Sequence, residues 1–399
     1  MTLLGERPND AADARVWKTV MTRIDRYLLA TYLRTLLICF CSLAGIFVVF
    51  HAFNNMEEVA AYARAQGSFV DALSRYYGPY LLAIFDATNA ILAVFALVFS
   101  VAVLKRNGEM TALLAAGLSH GRILRPMLFA ALIVIILAVL NREFLMPNWK
   151  DQLGTKAQDL GGQMQRTLKP CYDRMTGIQF HGRGVIIIRK EIVAPALMIR
   201  SEMPGMGTQI VGESAVWMPA SDEHPAGYLV SQVNQPAEID AIPSAGFDGK
   251  QFVLTRSDHA WLEPGQCFVV SNIEFEHLVS GSQTDRLSST LQLVRNIQNS
   301  SVYSGPDAEV LLHTRIVRPW LDISLVLLGL PLVVTRGDKN LFVVAGWGLG
   351  LIAMFFFVKT LFSGLGSSET LISPAMGAWG PIIVFAPMGY SRWKAAGRT

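Results

Sequence analysis

Apolar residues fall in long unbroken runs towards both ends of the chain and in short broken ones through its middle. Six runs reach the roughly twenty residues that a helix needs to cross a hydrocarbon core of about 30 Å. They cover about Leu28 to Phe53, Tyr80 to Leu104 and Ile123 to Met146, then about Ile316 to Thr335, Leu341 to Phe362 and Leu371 to Tyr390. The pattern predicts two groups of three membrane-spanning helices. Between the groups, "GVIIIRK", "ALMIRSE", "SAVWMP", "GYLVSQV", "QFVLTRS" and "QCFVVSNIEFEHL" are separated by Gly, Pro, Asn and Asp clusters, which reads as an all-β sandwich or jelly roll. Two helices are expected to flank it, "DQLGTKAQDLGGQMQ" on the way in and "SSTLQLVRNIQNS" on the way out, the latter capped by Ser288 or Ser289.

Composition agrees with a membrane protein, since 52% of the 399 residues are hydrophobic and only 16% are charged. A net charge of +3 is too small for a nucleic-acid binder, but its placement is informative. Basic residues gather before the first run (Arg15, Lys18, Arg23, Arg26) and between the second and third (Lys105, Arg106, Arg122, Arg125). They recur between the fourth and fifth (Arg336, Lys339) and after the sixth (Arg392, Lys394, Arg398). By the excess of basic residues on cytoplasmic loops, both termini and these two loops are expected inside and the β domain outside. The remaining loops fit: His51 to Pro79 has Glu57, Glu58 and Asp71 against Arg64 and Arg75, and Ser363 to Thr370 has Glu369 alone. The polar start and the length of the first run predict a retained span, not a cleaved signal peptide. The expected segments are a cytoplasmic 1–26, helices one to three over 27–146 with a loop at 105–122, a β domain with flanking helices over 147–315, helices four to six over 316–391, and a tail at 392–399.

Candidate chemistry is sparse. Cys39 and Cys41 lie in an apolar run and Cys171 and Cys267 in the β region, neither pair at zinc-ligand spacing, so no metal site is expected. A Cys171–Cys267 disulfide and two free thiols both stay open. There is no GxxxxGK phosphate loop, no HExxH, no GxSxG, and the histidines at 181, 224, 259 and 277 are scattered; no catalytic residue and no cofactor is predicted. Cations expected near the outer interface are Arg142, Lys150, Arg315, Arg318 and Lys359, the last inside the apolar "FFFVKTLFSGL". His51 ends the first run, Asp86 and Asn89 share a helix face three residues apart, and Asp322 lies early in the fourth run. Pro331, Pro374, Pro381 and Pro387 predict kinks. Val185 to Ile188 and Trp217 are candidate walls of an acyl-chain groove or plain core.

The loop "KRNGEMTALLAAGLSHGR" carries one acid among bases and alanines. As a helix from Glu109 it turns Met110, Leu113, Leu114 and Gly117 to one side and Glu109, Ala112 and Ala116 to another. Gly117 would end it and Ser119 would cap the next helix. An acid at a helix start, next to small residues, suits either a solvated turn or a surface on which a partner's backbone and arginine can close.

This loop, with "RIDRYLLATYLRTLL", "NREFLMPNW", "LSSTLQLVRNIQNS", "LLHTRIVRPW" and "LISPAMGAWGPIIVF" in that order around a β region, resembles the LptF/LptG (YjgP/YjgQ) family, from about Thr22 to Trp393. "RIDRY" and the helix before the fourth span lean towards LptG. The resemblance implies an inner-membrane permease of an ABC transporter that takes lipopolysaccharide from the outer leaflet of the inner membrane to a periplasmic bridge. It implies a second homologous permease, a cytoplasmic ATPase dimer that hydrolyses the ATP, and a periplasmic jelly-roll bridge or membrane-anchored adaptor. Glu109, Met110, Ala112, Leu113, Leu114, Ala116 and Gly117 would form the coupling helix on the ATPase. Read from the residues, candidate substrate contacts are Lys359, Arg142, Arg318, Arg315, His51, Asp86 and Asn89, with snorkelling of the cations to ordinary lipid and interhelical hydrogen bonding of Asp86 and Asn89 as the alternatives; the resemblance places the span of Lys359 at a lateral gate. Two departures stand out: "FDATNA" replaces a proline common near the outer part of the second span, and "FVVFHAFNNMEE" replaces a basic cluster at the end of the first. A permease for another lipid or glycolipid and a non-transporting envelope scaffold are the alternatives.

Overall fold

The computed structural model describes residues 22–396 apart from 58–59, 61–63, 65–68, 154–164, 200–205, 223, 248, 281, 302–304, 335–340 and 369–370. Arg15, Lys18, Glu58, Arg336, Lys339, Glu369, Arg398 and most of the helix expected in "DQLGTKAQDLGGQMQ" therefore lie outside the described residues.

Helix α1, Arg23–Asn54, starts on a reciprocal cap: the Thr22 hydroxyl accepts the Asp25 N–H and the Asp25 carboxylate accepts the Thr22 N–H. Then come α2, Phe69–Arg106, the short α3, Glu109–Ala115, and α4, His120–Leu140. A π turn, Asn141–Leu145, and a 3₁₀ turn, Met146–Trp149, continue α4 into α5, Lys150–Leu153. Pro147 has no N–H to extend the regular ladder there.

Among the described residues nine strands follow: β1 Cys171–Tyr172, β2 Gln179–Ile186, β3 Glu191–Met198, β4 Gln209–Val211, β5 Ser214–Met218, β6 Gly227–Ser231, β7 Ala245–Phe247, β8 Lys250–Thr255 and β9 Cys267–Val270. They pair antiparallel in the order β1-β2-β3-β5-β6-β9-β8-β7, with β4 on β3. The chain returns through α6 Phe275–Ser280, α7 Ser282–Leu287 and α8 Thr290–Gln298 to the long helices α9 Pro306–Val334, α10 Leu341–Ser367 and α11 Pro374–Ala396. A large antiparallel sheet is thus inserted between two sets of helices.

By length and composition, four stretches among the described residues are able to cross a membrane: Arg23–Asn54, Tyr76–Arg106, His120–Trp149 and Gly346–Ser367. The other two runs read as spans also fall largely within helices, α9 and α11. Asp307, Glu309, Arg315, Arg318 and Asp322 sit on α9, and Pro381, Pro387, Arg392 and Lys394 on α11. Pro374 opens α11, where its missing N–H costs nothing.

The helical core is built on α2, whose Ala93, Val94, Leu97, Val101 and Leu104 meet Ile123, Leu124 and Met127 of α4 and Leu321, Leu325 and Leu330 of α9. In contrast, α1 buries only Asp25, Leu28, Tyr32 and Ala44, and the Tyr32 hydroxyl donates to the Ala93 carbonyl at 3.2 Å. Helices α10 and α11 touch backbone to backbone, since a Cβ on Gly366 would stand 2.8 Å from the Gly377 Cα.

In the β domain the strand periodicity puts Phe180, Val185, Ile192, Leu197, Tyr228, Val230, Val253 and Val269 into one core. The stretch "QCFVVSNIEFEHL" splits into β9 and α6, because Phe275 and Leu278 both turn inwards at a spacing of three, a helical period. Of the run from Val185 to Ile188, Val185 is core and Ile188 is 65% exposed, after the strand ends at Ile186. Trp217 packs against the same core, with the Lys190 ammonium 4.9 Å from its ring centroid.

Cys171 and Cys267 are free thiols. Burial pushes the Cys267 thiol up to about 12, and burial with Asp173 nearby also raises that of Cys171. A thiol so far above pH 8 holds almost no thiolate, the reactive form. Maleimide labelling at pH 8, read by peptide mass spectrometry, should therefore spare Cys267 in the folded protein and modify it in denaturant. Rapid modification of the folded protein would refute its burial.

Candidate functional site

Two places in the helical part concentrate polar side chains. The first is the loop around α3. Gly108 at φ +72° and Gly117 at φ +85° bracket the helix in the left-handed conformation that side chains disfavour. At its end the Gly117 N–H donates to the Leu114 carbonyl and the Leu118 N–H to the Leu113 carbonyl, a paired closure that fixes the exit. Ser119 then caps α4, its hydroxyl accepting the Arg122 N–H at 3.3 Å. Met110 is buried, Leu113 and Leu114 pack against the helical core, and Ala112, Ala116 and Gly117 are exposed. Glu109 is engaged from within: it accepts the Tyr27 hydroxyl at 2.7 Å and the Asn107 amide at 3.2 Å. Beside it Arg122 pairs with Asp25 at 2.9 Å, so the start of α1 is fastened to both sides of the loop.

The second place is an ion cluster where α2, the π turn and α9 meet. One Arg142 nitrogen donates to both Asp86 oxygens at 2.6 Å. Arg318 donates to the Asp86 carboxylate at 3.2 Å and to its backbone carbonyl, and it faces Asp322 one turn on at 3.8 Å. The Asn89 amide donates to the same Asp86 carbonyl at 2.7 Å. These charged side chains are only 8% to 18% exposed. Lys359 of α10 comes near enough to Asp322 for their charges to interact, and its ammonium lies 5.7 Å from the Phe356 ring centroid. Among the described residues it forms no ion pair.

Next to the cluster, Arg315 donates to the carbonyls of Asp285 at 2.6 Å, Arg286 at 3.0 Å and Ser288 at 2.6 Å, closing the C-terminal end of α7. Glu143 accepts the Thr290 N–H at 2.8 Å and its hydroxyl at 2.5 Å, at the start of α8, where Ser289 is the N-cap. Lys150 pairs with Glu276. His51 stands apart: its Nδ1 is 3.0 Å from the Tyr77 hydroxyl, with the rings of Phe47, Tyr76 and Tyr80 around it.

The sequence-predicted residues therefore fall in three sets: Glu109 to Gly117 at the loop, Asp86, Asn89, Arg142, Arg318 and Lys359 together with Arg315 adjacent, and His51 in its own aromatic cluster. Asp25, Tyr27, Glu143 and Thr290 were not singled out by sequence. Asp25 was legible in principle, as "TRID" carries the spacing of a reciprocal cap, whereas Tyr27 and Glu143 depend on contacts 82 and 147 residues away. No group of residues suited to a metal ion occurs among the described residues.

Removing one partner from a buried ion pair leaves an uncompensated charge, at a cost of about 3–5 kcal/mol. Asp86→Ala is expected to lower the unfolding temperature of the detergent-purified protein markedly. Asp86→Ala with Arg142→Met and Arg318→Met should recover much of the loss. Indistinguishable melting of wild type and Asp86→Ala would show that the cluster carries no such load.

The family model described as lipopolysaccharide export system permease LptF/LptG matches residues 26–167 and 269–394. The two matched segments take in the helical part on either side of the sheet, the loop at Glu109 and the whole ion cluster. The match is to LptF and LptG together and does not separate the lean towards LptG. Comparison with curated proteins finds no match. With the two helical sets and the inserted antiparallel sheet in place, the chain belongs to the LptF/LptG family of lipopolysaccharide export system permeases.

Proposed function

We propose that this transport subunit spans the inner membrane six times, with both termini inside and the β domain in the periplasm. It works beside a second homologous permease, two copies of a cytoplasmic ATPase and a periplasmic bridge or adaptor, and lifts lipopolysaccharide from the outer leaflet. The observation that carries the reading is the loop around α3: its apolar side is buried, its small side is exposed, and it has one acid at its head. Basic residues cluster at the same end of the bundle, where Tyr27 of α1 and Arg122 of α4 meet the loop, which supports a cytoplasmic placement. Ala112, Ala116 and Gly117 let a partner's backbone close, Glu109 accepts from its cation, and Met110, Leu113 and Leu114 anchor the helix from below.

For the substrate, we assign the direct phosphate contact to Lys359. It sits on α10, whose apolar face is largely open, and among the described residues it makes none of the ion pairs that occupy its neighbours. Arg142, Arg318, Asp86 and Asn89 position the helices around it, Arg315 positions α7, and His51 holds the outer end of α1 to α2.

Affinity purification in mild detergent tests the loop. Wild type should bring down an ATPase and a second permease, and Glu109→Lys or Ala112→Trp should lose the ATPase. Should wild type recover no ATPase while other membrane complexes survive the same extraction, the coupling assignment fails. For Lys359→Gln, subunit recovery should be unchanged and lipopolysaccharide release from proteoliposomes should fall about tenfold or more, the scale of one lost charge-assisted contact. Undiminished release would remove Lys359 from the substrate path.

A further inference from the structure

The surface between α4 and α9 is hollow. Leu128, Leu132 and Ile135 of α4 face Ile323 and Leu327 of α9 across an apolar groove of about 240 Å³ that Trp393 of α11 also lines. Gly389 lies against Ser324 and Leu327. Trp393, one turn further along α11, thus stands at the Leu128 end. At the other end Ile135 also borders the cavity beside Asp86, Arg142, Arg318 and Asp322, so the groove stops at the ion cluster. Leu128 to Ile135 spans seven residues of helix, roughly 10 Å, about a third of a hydrocarbon core.

Three cations lie within about one helical turn, along the chain, of residues that line the Trp393 end. Arg125 precedes Leu128 by three residues and Leu132 by seven, so it shares their face of α4, and Arg392 and Lys394 flank Trp393. All three are exposed, and among the described residues none forms an ion pair, while neighbouring Arg122 is occupied by Asp25. A partner helix, about 10–12 Å across, would pack along a groove that continues past this depth. A slot that stops at buried charges admits a thin apolar chain, and its mouth offers phosphate-binding groups with an indole at the interfacial level.

We propose that this groove binds an anionic phospholipid, with one acyl chain between α4 and α9 and its phosphate on Arg125, Arg392 and Lys394. The site is separate from the transported lipid, since Leu128 and Trp393 lie towards the ends of α4 and α11 away from the β domain and Lys359 does not line the groove. With the orientation proposed above it opens to the cytoplasmic leaflet, but the binding claim does not depend on that orientation.

The full-length chain, purified in mild detergent with its accompanying subunits, is incubated with equal amounts of phosphatidylglycerol and phosphatidylcholine of one chain length. Bound lipid is counted by native mass spectrometry. Phosphatidylglycerol should be retained in at least about tenfold excess, and Arg125→Gln, Arg392→Gln and Lys394→Gln should each reduce that excess about fivefold. Leu132→Trp, which fills the groove, should abolish retention, and Arg189→Gln on the β domain should leave it unchanged. Equal retention of both lipids overturns the proposal, as does an excess that survives all three glutamine variants. Photocrosslinking from position 132 to a protein in place of lipid would overturn it too.

Discussion

A carboxylate placed among apolar helices is tolerable only where opposite charge and donors come to it, and Asp86 meets that condition by drawing on both halves of the helical part. Arg142 arrives from the end of α4 and Arg318 from α9, so a single anion fixes how deep each helix stands against α2. Interactions of this kind are stiffer than apolar contact in a low-dielectric surrounding, because a small displacement loses charge-assisted hydrogen bonds that no water replaces. Other features inherit their position from this junction. The groove between α4 and α9 ends there, Lys359 faces it, and the helix ends beyond it meet the β domain at a set height.

How those ends meet the β domain follows from the π turn. Asn141 reaches back to the Leu82 carbonyl at 3.0 Å, Arg142 points to Asp86, and Glu143, the next residue, points instead to Thr290. Adjacent residues on a helix diverge by about 100°, so inserting one wider turn determines which of them faces the bundle and which faces the return path. Arg315 and Lys150 make the same kind of link, to the end of α7 and to Glu276. The connection between helices and sheet is thus mainly polar, while each part keeps an apolar core of its own.

Much of this was legible in the sequence, for local reasons. Long apolar runs gave the helices, short β-branched runs gave most strands, and Gly117, Ser119 and Ser289 act within three residues of themselves. What eluded the sequence was long-range. Arg142 and Arg318 read as cations at an interface, since nothing in either local run names a carboxylate 56 or 232 residues away as partner. The segment "IEFEHL" read as strand because its apolar residues are too few to separate a period of two from one of three. Prolines and glycines likewise dilute the apolar run of α11 and leave its span less distinct.

The two left-handed glycines around α3 bear on association in a further way. A loop held at both ends by backbone closures, with its apolar side already buried, has little conformational freedom left to lose. Ordering a flexible segment of the same length on contact would cost roughly 1–2 kcal/mol for each residue fixed. Under the docking proposed above, a partner would meet a loop already ordered, and that part of the cost of association would be absent.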